Sequence, residues 1–281
     1  GLGCPGGSPA RTTKATMHRS RAQEVAVRTR SSAWAAASRP DPAAHTPGYF
    51  ALAPSSIVGM PGWQAMAVCV ILGTALVFVH AAWLLPRLPE PVADPEEVLH
   101  KRSYRSMVSR EFIIGCALAA VLPQIIAANQ PVAQRAAWVV VGSSVLVLVL
   151  IDLRSTWLPK RMQRWCTAEL ALALLTGALL QPRQAHQLLF GAVIGATAAG
   201  VLFWAVWRFS RGGIGFGDVR LVALLSAVAA TGGESRWWAM LFLGNLCGVC
   251  WGVLQRGLLH RREFPFGPSL WLGSYLALLV S

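Results

Sequence analysis

The chain has 281 residues, of which 54% are hydrophobic and only 13% are charged, and its mean hydropathy is positive. A soluble domain carries about a quarter charged residues, so this composition excludes an ordinary soluble protein and indicates an integral membrane protein. The formal net charge of +13 would suit a nucleic-acid-binding protein, but membrane topology explains it below without such a partner.

The first 62 residues form a basic segment that is rich in Ala, Arg, Ser, Pro and Gly and has no sustained apolar period. This composition predicts a disordered tail at 1–62, followed by a transmembrane domain at 63–281. The tail holds seven basic and two acidic residues, and a basic flank resists transfer across the membrane. We therefore expect the functional protein to start near Met60 and the upstream tail to be a start-site error.

Apolar runs of membrane-spanning length occupy most of the chain from Trp63 onward. A helix that crosses a bilayer needs roughly 17–25 predominantly apolar residues. The sequence therefore predicts an all-α, polytopic transmembrane helix bundle of about eight spans. These spans lie near 63–85, 111–128, 133–151, 165–180, 187–207, 217–231, 237–255 and 266–280.

The Lys and Arg residues of the connections are divided unequally between the two sides of the predicted bundle. Fifteen lie in one set of connections, and three lie in the alternate set. Cytoplasmic loops carry the Lys/Arg excess, so the richer set faces the cytoplasm. This set consists of 86–110, 152–164, 208–220 and 256–263. The net charge thus reflects topology, and we predict a multi-pass protein with the lipid bilayer, and no nucleic acid, as a partner.

Two aspartates lie at the cytoplasmic ends of predicted spans. Asp152 ends the fifteen-residue run WVVVGSSVLVLVLID, which has no other charge, and Asp218 begins the sixth span. Two carboxylates held together share a proton, and such a pair can activate a water and protonate a leaving amide, as in an aspartic protease. Each aspartate alone could instead cap a helix or carry an end charge, and Asp218 suits an N-cap.

The glycines before Asp218, in RGGIGFGD, suggest a cavity wall. Gly215 and Gly217 permit positive φ and a close approach of backbone to substrate. Irregular backbone at membrane depth is tolerated only where it lines a cavity or is buried in protein. Glu169 is a further intramembrane carboxylate and a functional candidate. The CxxC spacing in CGVC, 247–250, has no second pair in the chain, so we interpret it as helix packing and predict no metal site.

Three segments carry a family resemblance. GFGDVRL (215–221), IDLRSTWLP (151–159) and FPFGPSLWLG (264–273) occur in this order on one predicted face of the membrane. They resemble the GxGD signature, the first aspartate motif and the Pro-Phe-Gly-Pro segment of the type IV prepilin peptidases, which are GxGD membrane aspartic proteases. The resemblance implies that Asp152 and Asp218 are the catalytic pair. It implies cavity-shaping or substrate-binding roles for Gly215, Gly217, Pro265, Phe266, Gly267 and Pro268.

The activity that the resemblance implies is an aspartic endopeptidase that removes the leader peptide of type IV prepilins or secretion pseudopilins. Cleavage would occur on the cytoplasmic side of the bacterial cytoplasmic membrane, and proteolysis would require no cofactor. Bifunctional relatives also methylate the new N-terminus with S-adenosylmethionine and carry a four-cysteine zinc subdomain after the first span. Residues 86–110 contain no cysteine, so the resemblance is to a form without this subdomain, and S-adenosylmethionine is expected only if methylation is retained.

Two other interpretations stay open. A polytopic transporter could use the intramembrane aspartates for proton or cation coupling. It would be expected to show inverted repeats and broken helices in both halves, and no second glycine-rich break matches 212–217. A catalytically inactive relative could act as a scaffold, although both aspartates are retained.

Overall fold

The computed structural model describes residues 1, 3, 62–89, 104–156, 158–210, 214–259 and 265–280. The tail, with the predicted start near Met60, lies outside the described residues apart from Gly1, Gly3 and Gly62, where the first helix begins. From Gly62 onward the described residues belong to one compact unit. This part of the chain is helical with short connections and contains no strand, which confirms the predicted all-α bundle.

Helices occupy all eight predicted spans. They are α1 (Gly62–Phe78, continued by a π-helical turn, Val79–Leu84, and a 3₁₀ turn, Leu85–Arg87), the short α2 (Tyr104–Met107), α3 (Arg110–Ala128), α4 (Val132–Val141), α5 (Ser144–Ser155), α6 (Lys160–Leu180), α7 (Ala185–Phe209), α8 (Phe216–Ala230), α9 (Glu234–Leu259) and α10 (Gly267–Val280).

Five helical segments are long and apolar enough to cross a membrane, within the part of the chain that the structure describes. They are Gly62–Arg87, Arg110–Ala128, Val132–Ser155, Ala185–Phe209 and Glu234–Gly257, and Gly267–Val280 is a shorter apolar helix. The segment Val132–Ser155 is the central one, because 83% of its most apolar window is buried inside the bundle against 22–39% for the other four. The chain is therefore a multi-pass membrane protein whose third span forms the core.

This central span is broken, whereas the sequence predicted one continuous helix near 133–151. Helix α4 ends at Val141, and α5 begins at Ser144. The break is packed by neighbouring helices, since a Cβ added at Gly142 would lie 2.7 Å from the Pro123 Cβ and 2.9 Å from the Tyr275 hydroxyl oxygen. The glycine thus allows α3 and α10 to approach the middle of the core.

Glycines also bring neighbouring helices into direct backbone contact. A Cβ added at Gly273 of α10 would overlap the backbone of Gly244 in α9, and one added at Gly195 of α7 would overlap the Ala230 side chain of α8. Small residues serve this purpose in membranes, because no hydrophobic effect drives helices together in lipid and close packing must replace it. The α9–α10 and α7–α8 pairs consequently make extensive contacts.

Arginine side chains stack on aromatic rings at the helix ends that the charge bias assigns to the cytoplasm. Arg154, near the end of α5, lies 4.6 Å from the Phe112 ring centroid, and Arg220, near the start of α8, lies 4.7 Å from that of Phe216. Such cation–π contacts hold a charge at the interface beside an apolar ring. Asp152 and Asp218 lie two residues from these arginines, so both belong to that end of the bundle.

We expect Gly273→Ala to lower the thermal unfolding midpoint of the detergent-solubilised protein. Its methyl group would collide with the Gly244 backbone, and overpacking of this kind costs about 1–3 kcal/mol. Gly257→Ala is the matched control, because a Cβ there meets nothing within 4 Å. Equal unfolding midpoints for the two variants would contradict the close α9–α10 contact.

Candidate active site

Asp152 lies in the last turn of α5 and faces the bundle interior, where only 4% of the residue is exposed. The helix ends at Ser155, because Thr156 takes a left-handed conformation with φ 57° and donates its N–H to the Asp152 carbonyl at 2.8 Å. The carboxylate Oδ2 accepts a hydrogen bond from the Gly267 backbone N–H at 3.1 Å. A segment more than a hundred residues downstream therefore holds this side chain.

Asp218 lies in the first turn of α8 and is also buried. Gly215 is the N-cap, and the Asp218 N–H donates to the Gly215 carbonyl at 3.0 Å. The Asp218 carboxylate turns back toward the Gly215 amide, which interacts with it. Asp218 is thus the third residue of the helix, and the alternative that it is the N-cap is wrong.

The two carboxylates come together although they are distant in sequence. They lie near enough to repel each other electrostatically, and among the described residues neither forms an ion pair with a cation. Gly267 fills the space beside them, since a Cβ added there would lie 2.7 Å from Asp152 Oδ2 and 3.2 Å from the Leu221 Cδ2, one helical turn beyond Asp218. No side chain larger than that of glycine fits at this position.

The glycines before Asp218 act by their small size and not by unusual backbone angles. Gly215 has a φ of −70°, and Gly217 lies within α8, so neither glycine uses the positive φ that its lack of a side chain permits. The expected close approach occurs at Gly217, where an added Cβ would lie 2.9 Å from Leu158 Cδ1. Leu158 belongs to the 151–159 segment, so the two aspartate motifs pack directly on each other here.

The segment 265–268 is anchored through Phe266. Ser269 and Leu270 donate their N–H groups to the Phe266 carbonyl at 3.1 and 3.3 Å, which starts α10. The Phe266 ring packs against Gly248 of α9, where an added Cβ would overlap the ring. This contact explains the glycine of the CGVC run as a packing residue. With Pro265 buried and Pro268 half-buried, the segment forms a wall that delivers the Gly267 amide to Asp152.

A second polar cluster lies deeper in the bundle, at the start of α5. Ser144 donates its hydroxyl to Glu169 Oε2, and His80 Nε2 lies 3.2 Å from Glu169 Oε1. The other ring nitrogen of His80 lies 2.9 Å from the Leu76 carbonyl oxygen and 3.4 Å from Ser144 Oγ. His80 occupies the π-helical turn after α1, so the cluster joins three helices around the break in the central span.

Sequence reasoning singled out Glu169 but gave no reason to pair it with His80, and it missed Ser144 and Gln163. Gln163 of α6 donates to the Gly217 carbonyl at 2.8 Å, one residue before Asp218. A polar side chain one turn into an apolar helix is a usable signal, but its partner is a backbone group, which the sequence does not reveal. Among the described residues, no group of three or more His, Cys, Asp or Glu side chains could hold a metal ion.

Comparison with known proteins agrees with this geometry. Residues 139–253 match the model of the type IV leader peptidase family. The chain is 33% identical over 154 residues to the prepilin leader peptidase/N-methyltransferase of Aeromonas salmonicida, covering 50% of this chain and 46% of the relative. It is 32% identical over 138 residues to the Escherichia coli protein of the same name (48% and 58%) and 33% identical over 145 residues to that of Bacillus subtilis (50% and 54%).

The chain spans about half the length of the curated relatives it matches, and no solved structure matches it significantly. The matched segment contains both aspartates, Gly217 and the central span from Val139 onward. Residues 139–253 are therefore similar to the type IV leader peptidase family.

We expect Glu169→Ala to destabilise the bundle by about 1–3 kcal/mol, because it leaves the buried His80 and Ser144 side chains without their shared acceptor. The free energy of unfolding in detergent measures this loss. Glu234→Ala is the control, since Glu234 is exposed and contacts only the exposed Trp238 among the described side chains, and surface changes stay within about 0.5 kcal/mol. Equal stability of the two variants would show that the deeper cluster does not hold the helices together.

Proposed function

We propose, from the match of residues 139–253 to the type IV leader peptidase family, that the chain is a membrane aspartic endopeptidase and that Asp152 and Asp218 are its catalytic pair. The observation that carries the proposal is their juxtaposition. Two buried carboxylates from distant segments lie at one end of the bundle without a cation partner among the described residues. Burying even one carboxylate costs free energy, and stability alone gives no reason for two.

The pair has the chemistry of peptide hydrolysis by water. Two neighbouring carboxylates hold one proton between them, so one is a base and the other an acid at the same time. The base takes a proton from a water, whose oxygen forms a bond to the scissile carbonyl carbon. The acid gives its proton to the amide nitrogen as the C–N bond breaks. The products are a new carboxylate and a new amine, and the pair exchanges roles for the next cycle.

The backbone amides around the pair support this reaction. Gly267 donates to Asp152 Oδ2, and the Gly215 amide interacts with the Asp218 carboxylate. Each amide fixes one carboxylate and leaves hydrogen-bonding capacity for the water and the substrate. Preorganised groups of this kind position reactants without reorganisation during the reaction. Gly215, Gly217 and the segment Pro265–Pro268 thus shape the cavity in this proposal, and none of them supplies a reacting atom.

The substrate class comes from the matched relatives, which are named prepilin leader peptidases. We assign the chain type IV prepilins or secretion pseudopilins as substrates, cleaved at the cytoplasmic face of the bacterial cytoplasmic membrane. The positive-inside bias supports this side, because the aspartates lie at the arginine-rich helix ends. The transporter alternative gains no support from these relatives, although the central span is broken.

Cofactor use follows from the same assignment. Hydrolysis by two carboxylates and a water is complete without a cofactor, so the proteolytic step requires none. The relatives are also named N-methyltransferases, and S-adenosylmethionine would be needed only if this chain retains that second activity. Residues 86–110 contain no cysteine, which argues against it.

Asp152→Asn and Asp218→Asn should each abolish leader removal when co-expressed with a tagged prepilin. Asparagine keeps the shape of the side chain, but it cannot hold or accept the shared proton. Immunoblots of the precursor and mature forms measure cleavage, and blots of the peptidase confirm equal amounts. Glu234→Gln is the matched control, since it neutralises an exposed carboxylate and should cleave as wild type does. Cleavage by either Asn variant would refute a catalytic role for that aspartate.

Gly267→Ala should lower cleavage at least tenfold while both aspartates are retained. The added methyl group would lie 2.7 Å from Asp152 Oδ2, and displacing a reacting group by about 1 Å costs about 100-fold in rate. The same co-expression assay measures the effect. Gly257→Ala is the control, because a Cβ added there meets nothing within 4 Å. Wild-type cleavage by Gly267→Ala would show that the Gly267 amide does not set the position of Asp152.

A further inference from the structure

Gln163 connects α6 to the turn that carries Asp218. It lies in the first turn of α6 and is 4% exposed. Its Nε2 donates a hydrogen bond of 2.8 Å to the Gly217 carbonyl. That carbonyl belongs to the peptide unit between Gly217 and Asp218, whose N–H donates to the Gly215 carbonyl at 3.0 Å. Both polar ends of the peptide unit before Asp218 are therefore held.

The direction of the Gln163 amide follows from its partner. A backbone carbonyl can only accept hydrogen bonds, so the NH₂ group must face Gly217, and Oε1 points away from it. Gln163 Oε1 is buried and has no hydrogen-bond partner among the described residues. A buried acceptor without a donor lowers the stability of the folded protein. The Gln163 Nε2 thus has a hydrogen-bond acceptor, whereas its buried Oε1 has no donor among the described residues.

Stability alone does not account for this glutamine. A leucine of similar size would be buried there without an unsatisfied oxygen. The Gly217 carbonyl would keep its acceptor role in the backbone ladder of α8, because a helical carbonyl bonds to the N–H four residues later. Residues that lower stability without packing benefit are characteristic of functional sites.

We infer that Gln163 is a positioning residue for the aspartate pair, which fixes the peptide unit before Asp218 and with it the direction of the Asp218 side chain. This inference rests on the proposed peptidase function. Leu158 packs on the Cα of Gly217 and blocks movement on one side, and the Gln163 amide holds the carbonyl of the same residue. Glycine has no side chain to restrain its own peptide planes, so two external contacts supply the restraint.

The decisive comparison is Gln163→Leu against Thr167→Val. Thr167 donates its hydroxyl to the Gln163 carbonyl at 2.8 Å on the same helix, so its replacement removes a side-chain hydrogen bond without touching Gly217. Gln163→Leu should unfold at a temperature equal to or above that of wild type, and its kcat should fall about tenfold to 100-fold with KM nearly unchanged. Thr167→Val should keep the wild-type kcat. Wild-type kcat in Gln163→Leu, or a lower unfolding temperature that accounts for its lost activity, would overturn the inference.

Gln163→Glu provides a second readout that a purely structural side chain would not move. Glutamate has the same shape, but it donates to the Gly217 carbonyl only when it is protonated. The ratio of variant to wild-type activity should therefore rise as the pH falls. A ratio that stays constant with pH would overturn the positioning role.

An amide-exchange measurement on the same purified variants distinguishes failure of the peptidase proposal from failure of the inference about Gln163. Deuterium uptake of peptides covering 214–221 should be faster in Gln163→Leu than in wild type and Thr167→Val. If wild type cleaves no prepilin but uptake is faster, the peptidase proposal fails and the contact with Gly217 stands. If wild type cleaves prepilin and neither uptake nor kcat changes in Gln163→Leu, the peptidase proposal stands and the role of Gln163 is refuted.

Discussion

The hydrogen bond from the Gly267 amide to the Asp152 carboxylate is the interaction on which the arrangement of the site depends. It joins the first residue of α10 to the last turn of α5, and Gly267 also contacts Leu221 of α8. A carboxylate in a low-dielectric environment must be paired or hydrogen-bonded, and among the described residues no cation does this for Asp152. A backbone amide supplies the bond without bringing a charge that would neutralise the aspartate pair.

The position of that amide is set by helix packing away from the aspartates. Gly273 of α10 lies directly on Gly244 of α9, and the Phe266 ring lies on Gly248. These contacts fix the position of the first turn of α10 along the α9 axis and its rotation relative to α9. The small residues of α9 and α10 therefore affect the site indirectly. They allow close helix packing, the packing positions the Gly267 amide, and this amide orients the Asp152 carboxylate.

The hydropathy and charge pattern predicted the helices, and the GxGD-type motifs predicted which aspartates would meet, because both depend on residues close together in the chain. The break at Gly142–Ser143 escaped prediction, since a single glycine in an apolar run is compatible with a continuous helix. At Gly215 and Gly217 the motif needs glycine for space beside Asp218 and Leu158, and not for the positive φ that glycine permits. Gln163 and the group formed by His80, Ser144 and Glu169 depend on contacts between distant segments, which composition and spacing do not encode.

The two buried polar clusters differ in the partners of their side chains. His80, Ser144 and Glu169 form a closed set in which each side chain lies within hydrogen-bonding or ion-pairing distance of the other two. Such a set holds the helices that carry it in place. Asp152 and Asp218 instead have backbone amides as partners and repel one another. This pair has unused hydrogen-bonding capacity at the end of the bundle, which in the proposed reaction a bound water and a peptide would complete.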